Sequence, residues 1–203
     1  MNTRFPRIRH HAACGALGAI LLGSGCVTVE SDSVSQLDPY LRQSSVVSTS
    51  SPEFAPQPGA TVGWDNDLSV HGAEGTDLPV QLVTELKTRI DAELVAKGYA
   101  FTPPGVAPDY HIHGLILLGD QLNEHELGDL LGFQPGLVAH GQRYEKGSLL
   151  LMLVNPATLG TDWRAAVQVF TDRNLTQEQQ QTRFDYLVHS LLRPLPSLEA
   201  EQP

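Results

Sequence analysis

"YEKGSLLLMLVNPATLGTDWRAAVQVFTD", residues 144–172, carries the reading that decides the fold. Residues 149–154 are apolar without alternation, so a strand built from them is buried on both faces or central in its sheet. "NPATLGT" places Pro156 and Gly160 between two strand-forming runs, which suits a hairpin turn. The two runs are therefore expected to pair as the antiparallel centre of a sheet.

Working outward, "DYHIHGLILLGD" (109–120) reads as a further strand, while "SVVSTSSPEF" (45–54) and "ATVGWDNDLSV" (60–70) read as two short ones with Pro-rich "APQPGA" between them. In "DLPVQLVTELKTRIDAELVAKGY" (77–99), Val83, Leu86, Ile90 and Leu94 recur at three- and four-residue steps, the spacing of one helix face. Asp77 is expected to cap that helix and Gly98 to end it. "LTQEQQQTRFDYLVHSLLRP" (175–194) opens on a capping-box pair, Thr176 and Gln179. Its stripe is Phe184, Leu187, Val188 and Leu191, and Pro194 stops it. The expected order is β-β-α-β-β-β-α: an α+β fold with a mainly antiparallel sheet and two helices packed on one face.

Length bounds the organisation, since 203 residues with 41% hydrophobic content supply one domain and extensions. That domain is expected over 45–195, with a loose tail at 196–203. Both cysteines, Cys14 and Cys26, precede it, so its core must hold by packing.

The N-terminus reads as an export signal over residues 1–25: Arg4, Arg7 and Arg9, then an apolar run from Ala12 to Leu22, too short to span a bilayer. "AILLGSGCVTVES" (19–31) puts Gly23, Ser24 and Gly25 before Cys26 and resembles the lipobox of bacterial lipoproteins, in which the cysteine thiol takes the lipid. Gly23 stands where Leu is usual, which leaves open ordinary cleavage to a soluble periplasmic protein. Val27, rather than Asp, follows the cysteine, and by the same resemblance the destination is the outer membrane, facing the periplasm. Residues 26–44 form a polar tether without period.

Residues 1–25 hold three of the 13 basic residues and none of the 23 acidic ones, so the processed chain carries 23 acidic against 10 basic side chains, a net charge of −13. Nucleic acid would repel it, and no P-loop or dinucleotide glycine pattern is present. No cofactor is expected. The remaining partners are the membrane, through the lipid, and a protein or cell-wall component of the envelope.

"PEFAPQPGATVGW" (52–64), "RIDAELVAKGY" (89–99), "APDYHIHG" (107–114) and "YEKGSLLLMLVNPATLGTDWRA" (144–165), with the last amphipathic helix, resemble domain of unknown function 4136, a family of bacterial envelope lipoproteins. The resemblance covers about residues 45–195 and implies fold and location; it brings no catalytic residue. Asn155 stands where the family usually has Asp, and residues 119–141 make a longer connection than its pattern requires.

Three features remain as carriers of chemistry. His111 and His113, two apart on a strand, face the same way and offer half of a Zn²⁺ ligand set, a metal-carrier alternative against a plain polar strand face. Trp64 and Trp163 fit core or rim packing, or an aromatic platform. "NEHELGDLLG" (123–132) sets Leu127, Leu130 and Leu131 on one side of a short helix, either a lid over the sheet or an interaction surface for an envelope partner. Ser148 lacks the nucleophile-elbow glycines and Asp109 reads as a turn residue, so the expected role is binding or structural, not enzymatic.

Overall fold

The computed structural model describes residues 43–72, 78–119, 145–171 and 174–198. The expected signal, Cys26, all but the end of the tether, the Asp77 cap and the Leu127/Leu130/Leu131 surface lie outside the described residues.

The chain folds as α+β. Strands β1 (Ser44–Ser50), β2 (Thr61–Trp64) and β3 (Ser69–Gly72) precede helix α1 (Val80–Ala96). After it come β4 (Ala100–Phe101), β5 (Tyr110–Leu118), β6 (Glu145–Val154), β7 (Thr161–Thr171) and helix α2 (Gln177–Leu192). The seven strands form one sheet in the order β1-β7-β6-β5-β2-β4, with β3 also on β5. Its β1-β7-β6-β5 half is antiparallel, as expected. The β2–β4, β2–β5 and β3–β5 pairs are parallel, so the sheet is mixed though mostly antiparallel, and β3 and β4 are strands that the expected order lacks. The cause is topological: α1 carries the chain back across the sheet, so the strands after it lie beside β2 in its own direction.

The expected strand over 60–70 is two strands. Trp64 pairs with Ile112 and Ser69 with Leu115, so the four residues 65–68 stand opposite the two residues 113–114. Asp65, Asn66 and Asp67 are weak strand formers, and the ladder bulges there. Gly114 lies under the bulge, where a Cβ would fall 2.5 Å from Leu68 Cδ1 and 2.9 Å from Trp64 Cζ3, so any larger residue requires those side chains to shift.

The core lies between the sheet and both helices. Leu86, Ile90 and Leu94 of α1 and Leu187, Val188 and Leu191 of α2 pack on Val46, Ile112, Ile116, Leu149, Leu151, Leu153, Ala165, Val167 and Val169. Strand β6 is buried on both faces, with Leu149, Leu151 and Leu153 toward the helices and Leu150 in a second cluster with Leu117 and Ala166. That is the arrangement its unbroken apolar run dictates.

Helix ends follow local chemistry. Gly98, at φ +89°, turns the chain out of α1. Thr176 accepts from Gln179 N–H at 3.2 Å while Gln179 Oε1 accepts from Thr176 N–H at 2.9 Å, the reciprocal cap. Arg89 links the helices by pairing with Asp185 at 2.6 Å, and it also pairs with Glu85 of its own helix at 2.9 Å. Past α2 the chain stays packed: Leu195 and Leu198 are buried, and Leu198 N–H donates to Lys97 O at 2.6 Å. The tail expected to be loose from residue 196 is packed as far as Leu198, and 199–203 lie outside the described residues.

Candidate functional site

Three Pro-rich segments meet at one end of the sheet. Residues 51–60 lead from β1 into β2, residues 102–109 lead into β5, and residues 155–160 join β6 to β7. Between them is an open cleft of about 430 Å³, walled by Ala55, Gln57, Pro58, Gly59 and Ala60, by Pro108, Asp109 and Tyr110, and by Asn155, Pro156 and Ala157. These are stretches that carry the sequence resemblance, and the fold brings them together.

Much of the polar lining is engaged in framework. Asp109 Oδ2 accepts from Thr61 N–H at 2.8 Å and from Thr61 Oγ1 at 2.7 Å, and Asp109 N–H donates back to Thr61 Oγ1 at 3.0 Å. This clamp starts β2 and β5 in register, and its hydrogen bonds hold the Asp109 carboxyl below the usual range. Asn155 accepts from Ala157 N–H at 2.9 Å through Oδ1, and its Nδ2 donates to Asp162 Oδ2 at 3.3 Å. An aspartate at 155, usual in the resembling family, would meet Asp162 with like charge.

Tyr110 lines the cleft and stacks edge-on against Phe54 at 5.6 Å. Burial, then Asp162 and Asp109, push its phenol pKa up. Tyr99, just before β4, is 2% exposed in the core, and its hydroxyl has no hydrogen-bond partner among the described residues. Burial holds that phenol above its usual range, and the Tyr110 phenol adds to the effect.

His111 and His113 do face the same way, on the side of β5 away from Ile112, which is fully buried among core residues. Asp65, from the 65–68 bulge, sits between them at 4.0 Å from His111 Nδ1 and 3.8 Å from His113 Nδ1. Among the described residues, no group of three His, Cys, Asp or Glu side chains is placed to hold a metal ion. His71 is exposed on β3, and His125 and His140 lie outside the described residues.

Both tryptophans are packing residues. Trp163 is 2% exposed in the core, whereas Trp64 donates from Nε1 to Asp91 Oδ1 at 2.7 Å under Lys87, which stands 4.8 Å from the ring centroid. Ser148 is buried within β6. Tyr99, Tyr110 and Gln57 were not singled out by sequence; the available signal was three Pro-containing loops on strand ends, with nothing to say that they converge.

No family model and no curated protein matches the chain. Two solved structures from Paraburkholderia phytofirmans are similar to it: a PelC dodecamer, 13% identical with a TM-score of 0.45, and a PelC dodecamer with one Leu-to-Met substitution, 14% identical with the same score. Each alignment covers 79% of this chain and 100% of the other.

Proposed function

We propose that the chain is a lipid-anchored protein of the cell envelope, fastened to the outer membrane through Cys26, with a non-enzymatic binding role served by the sheet-end cleft. The observation that carries the binding role is the cleft itself. Its fixed walls come from three segments, and its carboxylate and amide are held by Thr61, Asp162 and backbone, which suits holding a partner better than moving protons. The anchor rests on the sequence around Cys26, and β1 begins at Ser44. The 18 residues from Cys26 to Ser44 reach at most about 60 Å when extended, enough to present the cleft well clear of a membrane.

Two measurements test this. Replacing Cys26 with Ser is expected to move the mature protein from the membrane fraction to the soluble periplasm; an unchanged distribution rejects the anchor, and an unaltered protein that is already soluble favours the soluble-carrier alternative. A photo-cross-linking residue at Pro156, compared with one at Val95 on the exposed side of α1, is expected to capture an envelope component from the cleft position only. Equal capture from both positions rejects the cleft as the binding surface.

A further inference from the structure

Helix α2 carries a buried charge that the described residues leave unmatched. Arg183 is 3% exposed; its Nη2 donates to Phe170 O in β7, while Nε and Nη1 are buried and have no hydrogen-bond partner among the described residues. Burial pushes the guanidinium pKa down to about 10, with the Tyr186 phenol acting the other way, so the group is still charged at neutral pH. A buried cation without an opposite charge is strongly destabilising, and a carboxylate supplies both the missing charge and the missing acceptors.

The described elements around Arg183 have no carboxylate to offer. On α2, the positions three and four residues away are Gln179, Gln180, Tyr186 and Leu187; Glu178 is on another face, and Asp185 is engaged with Arg89. Strand β1 has no acidic residue, and the acid of β7, Asp162, stands at its far end with Asn155.

The chain that enters β1 passes this point. Ser44 pairs antiparallel with Val169, and its Oγ shares a hydrogen bond with the Tyr186 hydroxyl at 3.0 Å, so the residues before it arrive from the side of Phe170, where Arg183 is held. Going back from Ser44, the first acidic residue is Asp38, within about 20 Å of extended chain. Asp38-Pro39 is a pair that opens a type I turn, the fold-back that would return this carboxylate toward α2. Asp172 is near in sequence to Phe170, but the alternation that points Val167 and Val169 at the helices sends position 172 of a continued strand to the opposite face.

We propose that the segment before β1 is fastened to the domain by Asp38, whose carboxylate pairs with the Arg183 guanidinium beside Tyr186. The contact divides the expected tether: residues 26–38 alone remain free, with a reach of at most about 40 Å. That consequence for the distance from a membrane, unlike the contact itself, rests on the Cys26 anchor.

NMR of the arginine Nε–Hε groups of the full lipidated chain in detergent tests the contact, with Arg183→Lys to assign the signal. Asp38→Asn is expected to move the Arg183 signal, to speed its exchange with water and to lower the thermal midpoint by about 5 °C or more. Asp32→Asn and Asp172→Asn are expected to leave signal and midpoint in place. In an Arg183→Met background, Asp38→Asn is expected to lose most of its effect on the midpoint. No response to Asp38→Asn, the response appearing with Asp32→Asn or Asp172→Asn instead, or an equal midpoint loss with and without Arg183 overturns the inference. Acetate or phosphate that moves the Arg183 signal of the unaltered chain overturns it too, because the guanidinium would then be open to small anions. Cys26→Ser is expected to leave the Arg183 signal unchanged, so a failure here is distinct from a failure of the anchor or of the cleft.

Discussion

Under the helices and at the sheet end, the same strands obey different rules. Beneath α1 and α2, side chains alternate along each strand, and Ile90, Leu94, Ile112, Leu151, Leu153 and Leu191 are completely buried with apolar neighbours. Fully burying each contributes roughly 1.5–3 kcal/mol. A few residues along β2 and β5, the chain passes into Pro-containing loops, where polar groups set the geometry: Asp109 holds Thr61, and Asn155 holds Ala157 and Asp162. Each of these hydrogen bonds contributes about 0.5–1.5 kcal/mol net. The contrast teaches which force does what: apolar burial explains why the chain folds, and polar clamps fix how three loops meet around one opening.

The contrast breaks first if the core tolerates charge. Ile90→Asp places an unpaired carboxylate at a position with no exposure, so the domain is expected to lose several kcal/mol and to show no cooperative melt by circular dichroism. Gly114→Val comes next. Its Cβ alone would sit inside contact distance of Leu68 and Trp64, so the bulge must shift, at about 1–3 kcal/mol in denaturant titration. A smaller effect is expected from Asn155→Asp, which sets a second carboxylate against Asp162 and loses a donor. The cost at neutral pH should be about 1 kcal/mol, shrinking with salt because the hairpin is solvent-accessible.

The smallest expected effect is a pH slope at Asp109. Its carboxyl titrates below its usual value of 3.8 in the folded chain, so its contribution is complete above that value and is lost as pH falls through the lower folded one. Removing the group by Asp109→Asn should flatten the acid limb of a stability-against-pH curve below pH 4 or so. An unchanged limb would show that the Thr61 clamp does not hold the carboxylate in solution.

How much of this was legible in the sequence follows the same division. The β6–β7 hairpin, the α1 and α2 stripes, the Gly98 stop and the Thr176 cap depend on residues a few positions apart, and each could be read directly. The parallel pairing of β2 and β3 to β5 depends on residues nearly fifty positions apart and on the path of α1, for which the local pattern carries no signal. The break at 65–68 was readable in Asp65-Asn66-Asp67, but the strand pattern on either side masked it. The two histidines shared a face as their spacing required, yet Asp65 between them came from the bulge and was invisible to spacing. The cleft was least legible. Its walls are three turn-like loops, each explicable alone by Pro and Gly, and only the sheet places Asp109, Tyr110 and Asn155 around one opening.

The most direct test of the cleft as the binding surface is capture in intact cells by a photo-cross-linking residue at Pro156, in the cleft wall, set against one at Val95 on the exposed side of α1. The account predicts that an envelope component is captured from Pro156 and not from Val95. Equal capture from both positions, or none from Pro156, would contradict it.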